Sequence, residues 1–102
     1  MDASARDRVI ALRSSDELAG IRAACLVVAE VLEELARAVA PGVTTAELDR
    51  LAVEATHVRG AAPAFLGYQG YPASLCISVN DEVVHGIPSA RRTLREGDLV
   101  GL

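Results

Sequence analysis

The three aromatic side chains of the chain are the first residues with a capacity for chemistry. Phe65, Tyr68 and Tyr71 are its entire aromatic content and fall within one short segment. Gly67 and Gly70 stand between them and allow close backbone approach. An aromatic cluster on such a loop predicts either a wall for an apolar ligand or a loop that its aromatics hold against the core. The residues themselves leave both interpretations open.

His85 is the second candidate. It follows the apolar pair Val83 and Val84, precedes Gly86, and has Pro88 shortly after it. A histidine with a pKa near ~6.5 can donate to a developing charge or move a proton at neutral pH. The alternative, a partly buried histidine that bonds only to backbone, is the one that composition favours.

No metal site is predicted within these residues. Glu82 and His85 have a spacing that serves a metal on a helix, whereas an extended segment points such positions to opposite sides. Cys76 and His85 do not have the spacing of a zinc site. Phosphate-binding and nucleophile-elbow glycine motifs are also absent from the sequence.

Two amphipathic helices are predicted upstream of these candidates, each opening with a capping box. Ser14 stands three residues before Glu17 and Thr44 three before Glu47, and Pro41 follows the first helix. The first helix is predicted to bury a stripe at steps of three and four, formed by Leu18, Ile21, Cys25, Val28, Leu32, Leu35 and Val39. The second is predicted to bury Leu48, Leu51, Ala52 and Ala55 and to end at Gly60. This pair is interpreted as scaffold without chemistry.

The rest of the chain predicts strands. Leu75, Ile77 and Val79 alternate with polar or small residues, the period of a strand. Turns are predicted at 80–82 and 95–98, the second leading into a strand at 99–102. A strand expected inside a sheet leaves ladder groups open at the end of the chain, which predicts a fold that continues or a covering partner.

Composition narrows the function. At 102 residues the chain is one domain at most, and 51% hydrophobic with 24% charged residues fits a globular protein. A net charge of −4 without a basic stripe argues against nucleic acid as a partner. Two cysteines outside any C-x-x-C pair, with no signal-like segment, predict a cytoplasmic protein without a membrane partner. Residues 1–8 are polar and predicted to be disordered.

The chain resembles type I methionine aminopeptidases from about residue 9 to residue 102. Three motifs carry the resemblance, in family order and spacing: the PGVTT-x-ELD link at 41–49, the signature block at 65–88, and the L-x-x-GD-x-V entry into a strand at 94–100. The resemblance implies an α+β fold, the N-terminal half of a pita-bread (creatinase/aminopeptidase-like) fold with two helices followed by antiparallel strands. Residues 9–102 would form the N-terminal part of that domain.

The resemblance also implies an activity and its residues. The family removes the initiator methionine from nascent polypeptides with two divalent metal ions. His85 matches a catalytic histidine that contacts substrate near the scissile peptide. Asn80 matches a position associated with a monovalent cation. The pocket for the methionine side chain would be lined by Phe65, Tyr68, Tyr71 and Cys76. Gln69 stands at the substrate site where the family usually has a histidine, and it keeps hydrogen-bonding capacity without charge.

The family's metal ligands are expected beyond Leu102, so these residues are expected to bind no metal and to be inactive by themselves. The resemblance implies the N-terminal methionine of nascent peptides as substrate partner and a ribosome-associated context, while the open strand edge predicts self-association. Two other interpretations remain: a noncatalytic peptide-binding remnant of the same fold, and a proline-directed peptidase. The signature block favours the methionine-specific branch over the latter.

Overall fold

A computed structural model describes residues 10–102, so the predicted disordered segment 1–8 lies outside the described residues. Two helices are followed by a short antiparallel pair of strands, as predicted. The elements are α1 (Ser15–Ala38), α2 (Thr45–Val58), β1 (Ser78–Val79) and β2 (Val100–Gly101), with a 3-10 turn at Tyr68–Gly70.

Both predicted capping boxes are confirmed. The Ser14 hydroxyl accepts from the Glu17 N–H, and the Glu17 carboxylate accepts from the Ser14 N–H at 2.9 Å. Thr44 and Glu47 make the same reciprocal pair at the start of α2. These bonds satisfy backbone donors that have no partner inside the helix, which fixes where each helix begins.

The predicted buried stripe of α1 is wrong over most of its length. Leu18 is 56% exposed and Val28 57% exposed, and Ile21, Cys25 and Leu32 are exposed as well. The buried residues of α1 are Val31 and Leu35. With 24 residues against 14, α1 is longer than α2 by roughly 15 Å at 1.5 Å per residue, so α2 covers only its C-terminal part.

The stripe predicted on α2 is confirmed, with three of its members buried and Leu51 packed at the margin. The core joins this stripe to the C-terminal half of α1 and to the strand region; its members are Val31, Leu35, Leu48, Ala52, Ala55, Ile77, Val79 and Leu94. Backbone bonds between Gly42 and Leu94, and between Val43 and Leu94, attach the link between the helices to the segment before β2. The helices therefore form a fixed support for the strand region.

The strand region is less regular than predicted. Ile77 and Val79 are buried as the alternation requires, yet only Ser78–Val79 pairs as a strand, with Val79 opposite Val100. The apolar pair Val83 and Val84 is exposed and lies outside the described strands. The predicted turns at 80–82 and 95–98 are confirmed by bonds from the Glu82 N–H to the Val79 carbonyl and from the Asp98 N–H to the Arg95 carbonyl.

None of the helices within residues 10–102 has the length and apolar character to cross a membrane.

Candidate functional site

Two adjacent hollows share the side chain of Phe65. One, of about 450 Å³, is lined by Phe65, Cys76 and His85 together with the apolar Leu75, Val83 and Val84. The other is lined by Phe65, Tyr68, Gln69 and Tyr71. The structure therefore divides the predicted substrate residues between two neighbouring hollows, and Phe65 belongs to both.

The aromatic side chains pack on one another at this boundary. The Phe65 ring stacks on Tyr68 with centroids 6.2 Å apart and tilts against Tyr71 with centroids 5.0 Å apart. Phe65 is still 39% exposed. Offset and tilted ring pairs of this kind stabilise one another, which gives an open loop a defined apolar surface.

His85 lies beside Cys76, with 3.8 Å between the imidazole Nδ1 and the thiol Sγ. The neighbouring backbone sets this position: the Ile77 N–H donates to the Gly86 carbonyl at 2.8 Å, and the Gly86 N–H donates to the Ser78 hydroxyl. A Cβ on Gly86 would overlap the Ile77 carbonyl. Glycine is thus required for the close approach that brings the ring to the thiol.

Three predicted site residues have a left-handed backbone. Among the non-glycine residues of the described chain, positive φ occurs at Gln69 (+48°), Asn80 (+56°) and His85 (+59°). This conformation is uncommon for residues with a Cβ, and such backbones are concentrated at functional sites. Asparagine and histidine are enriched in this conformation, so the costlier case is Gln69.

Tyr71 is fixed through its hydroxyl, which donates to the Leu75 carbonyl at 2.7 Å. Burial, then a hydrogen bond and charge from Cys76, and then the charge of Asp49 raise the pKa of Tyr71 to about 12. The phenol therefore remains protonated near neutral pH. It serves as a hydrogen-bond donor there and holds the loop between Tyr71 and Leu75 closed.

Asn80 connects the two turns of the strand region. Its amide nitrogen donates to the Asp98 carboxylate at 3.0 Å, and its amide oxygen accepts from the Leu99 N–H at 2.9 Å. The bond from Asn80, followed by one from the Arg95 backbone, holds the pKa of Asp98 below its usual value. This is a structural use of the side chain, and the predicted role of Asn80 at a monovalent cation stays a prediction.

Asp49 was missed by the sequence interpretation, which treated α2 as scaffold. One oxygen of its carboxylate accepts from the Ser74 N–H, the Ser74 hydroxyl and the Leu75 N–H at 2.8–3.0 Å. The one signal in the sequence is that Asp49 ends the motif at 41–49, which gives no partner for its side chain.

The described residues do not form a metal centre. Residues 10–102 contain no group of three or more histidine, cysteine, aspartate or glutamate side chains placed to hold an ion. Cys76 and His85 are a pair only, and Glu82 accepts from the Val79 N–H and approaches Arg92 at 3.9 Å. A catalytic zinc site uses about three protein ligands, so this donor set does not fit one.

The sequence of this chain matches a known protein family and several named relatives. A model for metallopeptidase family M24 matches residues 19–102. The chain is 50% identical to methionine aminopeptidase 1 of Mycobacterium tuberculosis over 93% of its own length, and 50% identical to methionine aminopeptidase of Aquifex aeolicus over 91%. It spans 36% and 38% of those relatives, respectively.

Solved structures agree with the sequence relatives. Methionine aminopeptidase from Thermotoga maritima superposes with a TM-score of 0.87 at 36% identity, and that from Rickettsia prowazekii with 0.85 at 37%. Each match covers 90% of this chain and 37% of the solved one. The predicted fold class, the N-terminal part of a pita-bread fold, is confirmed by these likenesses.

Proposed function

The chain belongs to metallopeptidase family M24, and we propose that the protein carrying it is an aminopeptidase that removes the initiator methionine from nascent polypeptides. The observation that carries the proposal is the meeting of Phe65, Cys76 and His85 around one hollow. The names of relatives that are 50% identical support the same activity. Because the chain spans little more than a third of those relatives, the activity is proposed for the whole protein.

The composition of the hollows suits a methionine side chain. Aromatic and apolar walls supply dispersion contacts, and a thiol such as Cys76 is a soft, polarisable neighbour for a thioether. A volume of about 450 Å³ is within the range of small-ligand sites, roughly 300–1,000 Å³. In the proposal Phe65 and Cys76 contact the methionine side chain in this hollow. Tyr68 and Tyr71 extend its apolar wall from the adjoining hollow, where Gln69 donates or accepts at the rim.

His85 is the proposed catalytic residue. Its ring borders the hollow, so a methionine held there would bring the scissile peptide to the imidazole. A ring N–H can donate to the peptide oxygen as negative charge develops, and such donors are worth about 10²–10³ in rate where they have been removed from other enzymes.

Divalent metal is part of the proposal, consistent with the metallopeptidase family. We propose that two ions serve the whole protein and that their ligands lie outside residues 10–102, since the described residues offer no such donor group. Residues 1–102 as a separate protein are accordingly proposed to release no methionine. Asn80 remains the proposed neighbour of a monovalent cation.

The proposed setting follows from the substrate. A nascent polypeptide presents its N-terminal methionine in the cytoplasm at the ribosome, where the protein is proposed to act. For residues 1–102 as a separate protein, self-association through the open side of β2 is proposed as well, because Leu99 and Leu102 beside it are exposed.

The test compares histidine variants of the full protein encoded by the reading frame, loaded with divalent metal. His85→Ala is expected to lower kcat/KM for a Met-Ala-Ser peptide about 100-fold or more, as for loss of a donor to the reacting oxygen. His57→Ala is the matched control, since His57 is exposed at the end of α2 and should leave the rate unchanged. Equal rates for the two variants, or no methionine release by the unaltered protein, would reject the proposal.

A further inference from the structure

The loop in front of Cys76 is attached to α2 by one side chain. Asp49 presents a single carboxylate oxygen to three donors: the Ser74 N–H at 3.0 Å, the Ser74 hydroxyl at 2.8 Å and the Leu75 N–H at 2.9 Å. Ser74 is buried, so water does not readily replace these bonds. Hydrogen bonds to a charged acceptor are roughly twice as strong as neutral ones.

This attachment reaches the hollow through covalent neighbours. Leu75, held through its N–H by Asp49, accepts at its carbonyl from the Tyr71 hydroxyl at 2.7 Å. The next residue is Cys76, whose thiol lies against His85. The Asp49 carboxylate therefore fixes the backbone that connects the Tyr71 side of one hollow to the Cys76 side of the other.

The support beneath Asp49 is rigid. Its neighbour Leu48 is 1% exposed and belongs to the core, so α2 is packed in place beside Asp49. A side chain on a packed helix is held more accurately than one on a loop, and binding geometry depends on such supporting contacts. The wall formed by Ser74, Leu75 and Cys76 takes its position from this helix.

We propose that Asp49 is a positioning residue for methionine recognition, which sets the distance between the Cys76 wall and the aromatic wall without touching substrate. The role rests on the proposed function, since the hollow is taken to receive a methionine side chain. It gives α2 a function beyond scaffold. The chemistry required is an acceptor oxygen at this point, so the amide of asparagine can replace the carboxylate in part.

The test uses the full protein in a Cys25→Ser background, in which Cys76 is the thiol of the described chain. Asp49→Ala is expected to raise KM for a Met-Ala-Ser peptide about tenfold, because a wall displaced by about 1 Å impairs binding, with a smaller change in kcat. Asp49→Asn is expected to keep KM within about threefold of the unaltered protein, because an amide oxygen can accept from two of the three donors.

Thr44→Ala is the matched control, because it removes the cap of the same helix and leaves the Asp49 bonds in place. It should lower stability and leave KM unchanged. Alkylation of Cys76 by iodoacetamide supplies a readout that does not require activity. Asp49→Ala is expected to change its rate about tenfold, whereas Asp49→Asn and Thr44→Ala should not.

The two readouts separate the two proposals. If Asp49→Ala resembles Thr44→Ala in both KM and alkylation, the positioning role is overturned while methionine release stands. If the unaltered protein releases no methionine, the recognition role falls with the proposed function, and a changed alkylation rate would then establish only that Asp49 orders the Cys76 wall.

Discussion

At the residue scale, the surroundings of the Tyr71 hydroxyl favour its protonated form. Its hydrogen bond to the Leu75 carbonyl requires the proton, and burial followed by the neighbouring Cys76 and Asp49 makes that proton harder to lose. The phenol is thus a fixed hydrogen-bond donor near neutral pH. It supports the loop that separates the two hollows.

The ionisation of Tyr71 gives a pH prediction. Its pKa rises from 10.0 to about 12 in the folded state, so the native protein binds the proton more tightly than the unfolded chain. Stability from this group is full below pH 10 and is lost as the pH rises from 10 through about 12. Tyrosinate absorbance should show a component with a midpoint near 12, and Tyr71→Phe should remove both it and the alkaline loss of stability. A titration without that component would contradict the assignment.

The candidate site residues could be predicted from the sequence because they are close together in it. Phe65, Tyr68 and Tyr71 share one loop, and the resemblance to a family motif added Cys76 and His85. Asp49 stands in the 41–49 motif, but the motif does not report what its side chain contacts. Its bonds to Ser74 and Leu75 join residues about 25 positions apart, and no local spacing rule reports such a contact.

At the element scale, the segment that follows His85 runs directly against β1. Gly86 accepts a hydrogen bond from the Ile77 N–H and donates one to the Ser78 hydroxyl. A Cβ added to Gly86 would lie 2.8 Å from the Ile77 carbonyl carbon, so backbone occupies the space that a side chain would need. Position 86 therefore determines both the packing of this segment and the approach of His85 to Cys76.

Gly86→Ala is expected to destabilise the protein by about 1–3 kcal/mol, because backbone must move to admit the methyl group. Gly20→Ala is the matched control: nothing lies within 4 Å of an added Cβ there, and alanine is the better helix former by about 1 kcal/mol. Denaturant unfolding of both variants measures the difference. Equal stability of Gly86→Ala and the unaltered protein would show that the close approach is absent.

The start of each helix could be predicted from local sequence, whereas the buried face of α1 could not. A capping box is complete within four residues, so the Ser14 and Thr44 boxes can be identified from spacing alone. Which face of α1 is buried depends on the length and direction of α2, a tertiary property. The stripe is therefore exposed at Leu18 and Val28, whereas its member Leu35 is buried, together with Val31, which was not predicted.

At the scale of the whole molecule, the described residues expose a substantial apolar surface. Leu26 and neighbouring positions on the N-terminal half of α1 are exposed, and Leu99 beside β2 is 75% exposed. Contiguous apolar surface and an unpaired strand edge both favour association with another surface. The chain also spans only 36–38% of the relatives named above.

These surfaces predict that residues 1–102, prepared as a separate protein, self-associate. Sedimentation velocity should show a mean mass that rises with concentration above the 10.7 kDa of the monomer. Leu99→Lys is expected to weaken the association by placing a charge at the strand edge. Leu26→Lys tests whether the α1 face contributes. A single 10.7 kDa species at every concentration would contradict the prediction.

We propose that the Phe65–Cys76 hollow receives a methionine side chain with His85 at the bond to be cut. A crystal structure of the full protein with methionine bound would show this arrangement. We expect a thioether in contact with Phe65 and Cys76. We also expect the methionine carboxylate, which marks the position of the cleaved peptide, within hydrogen-bond reach of the His85 ring. Methionine bound elsewhere, or a His85 ring turned away from its carboxylate, would contradict it.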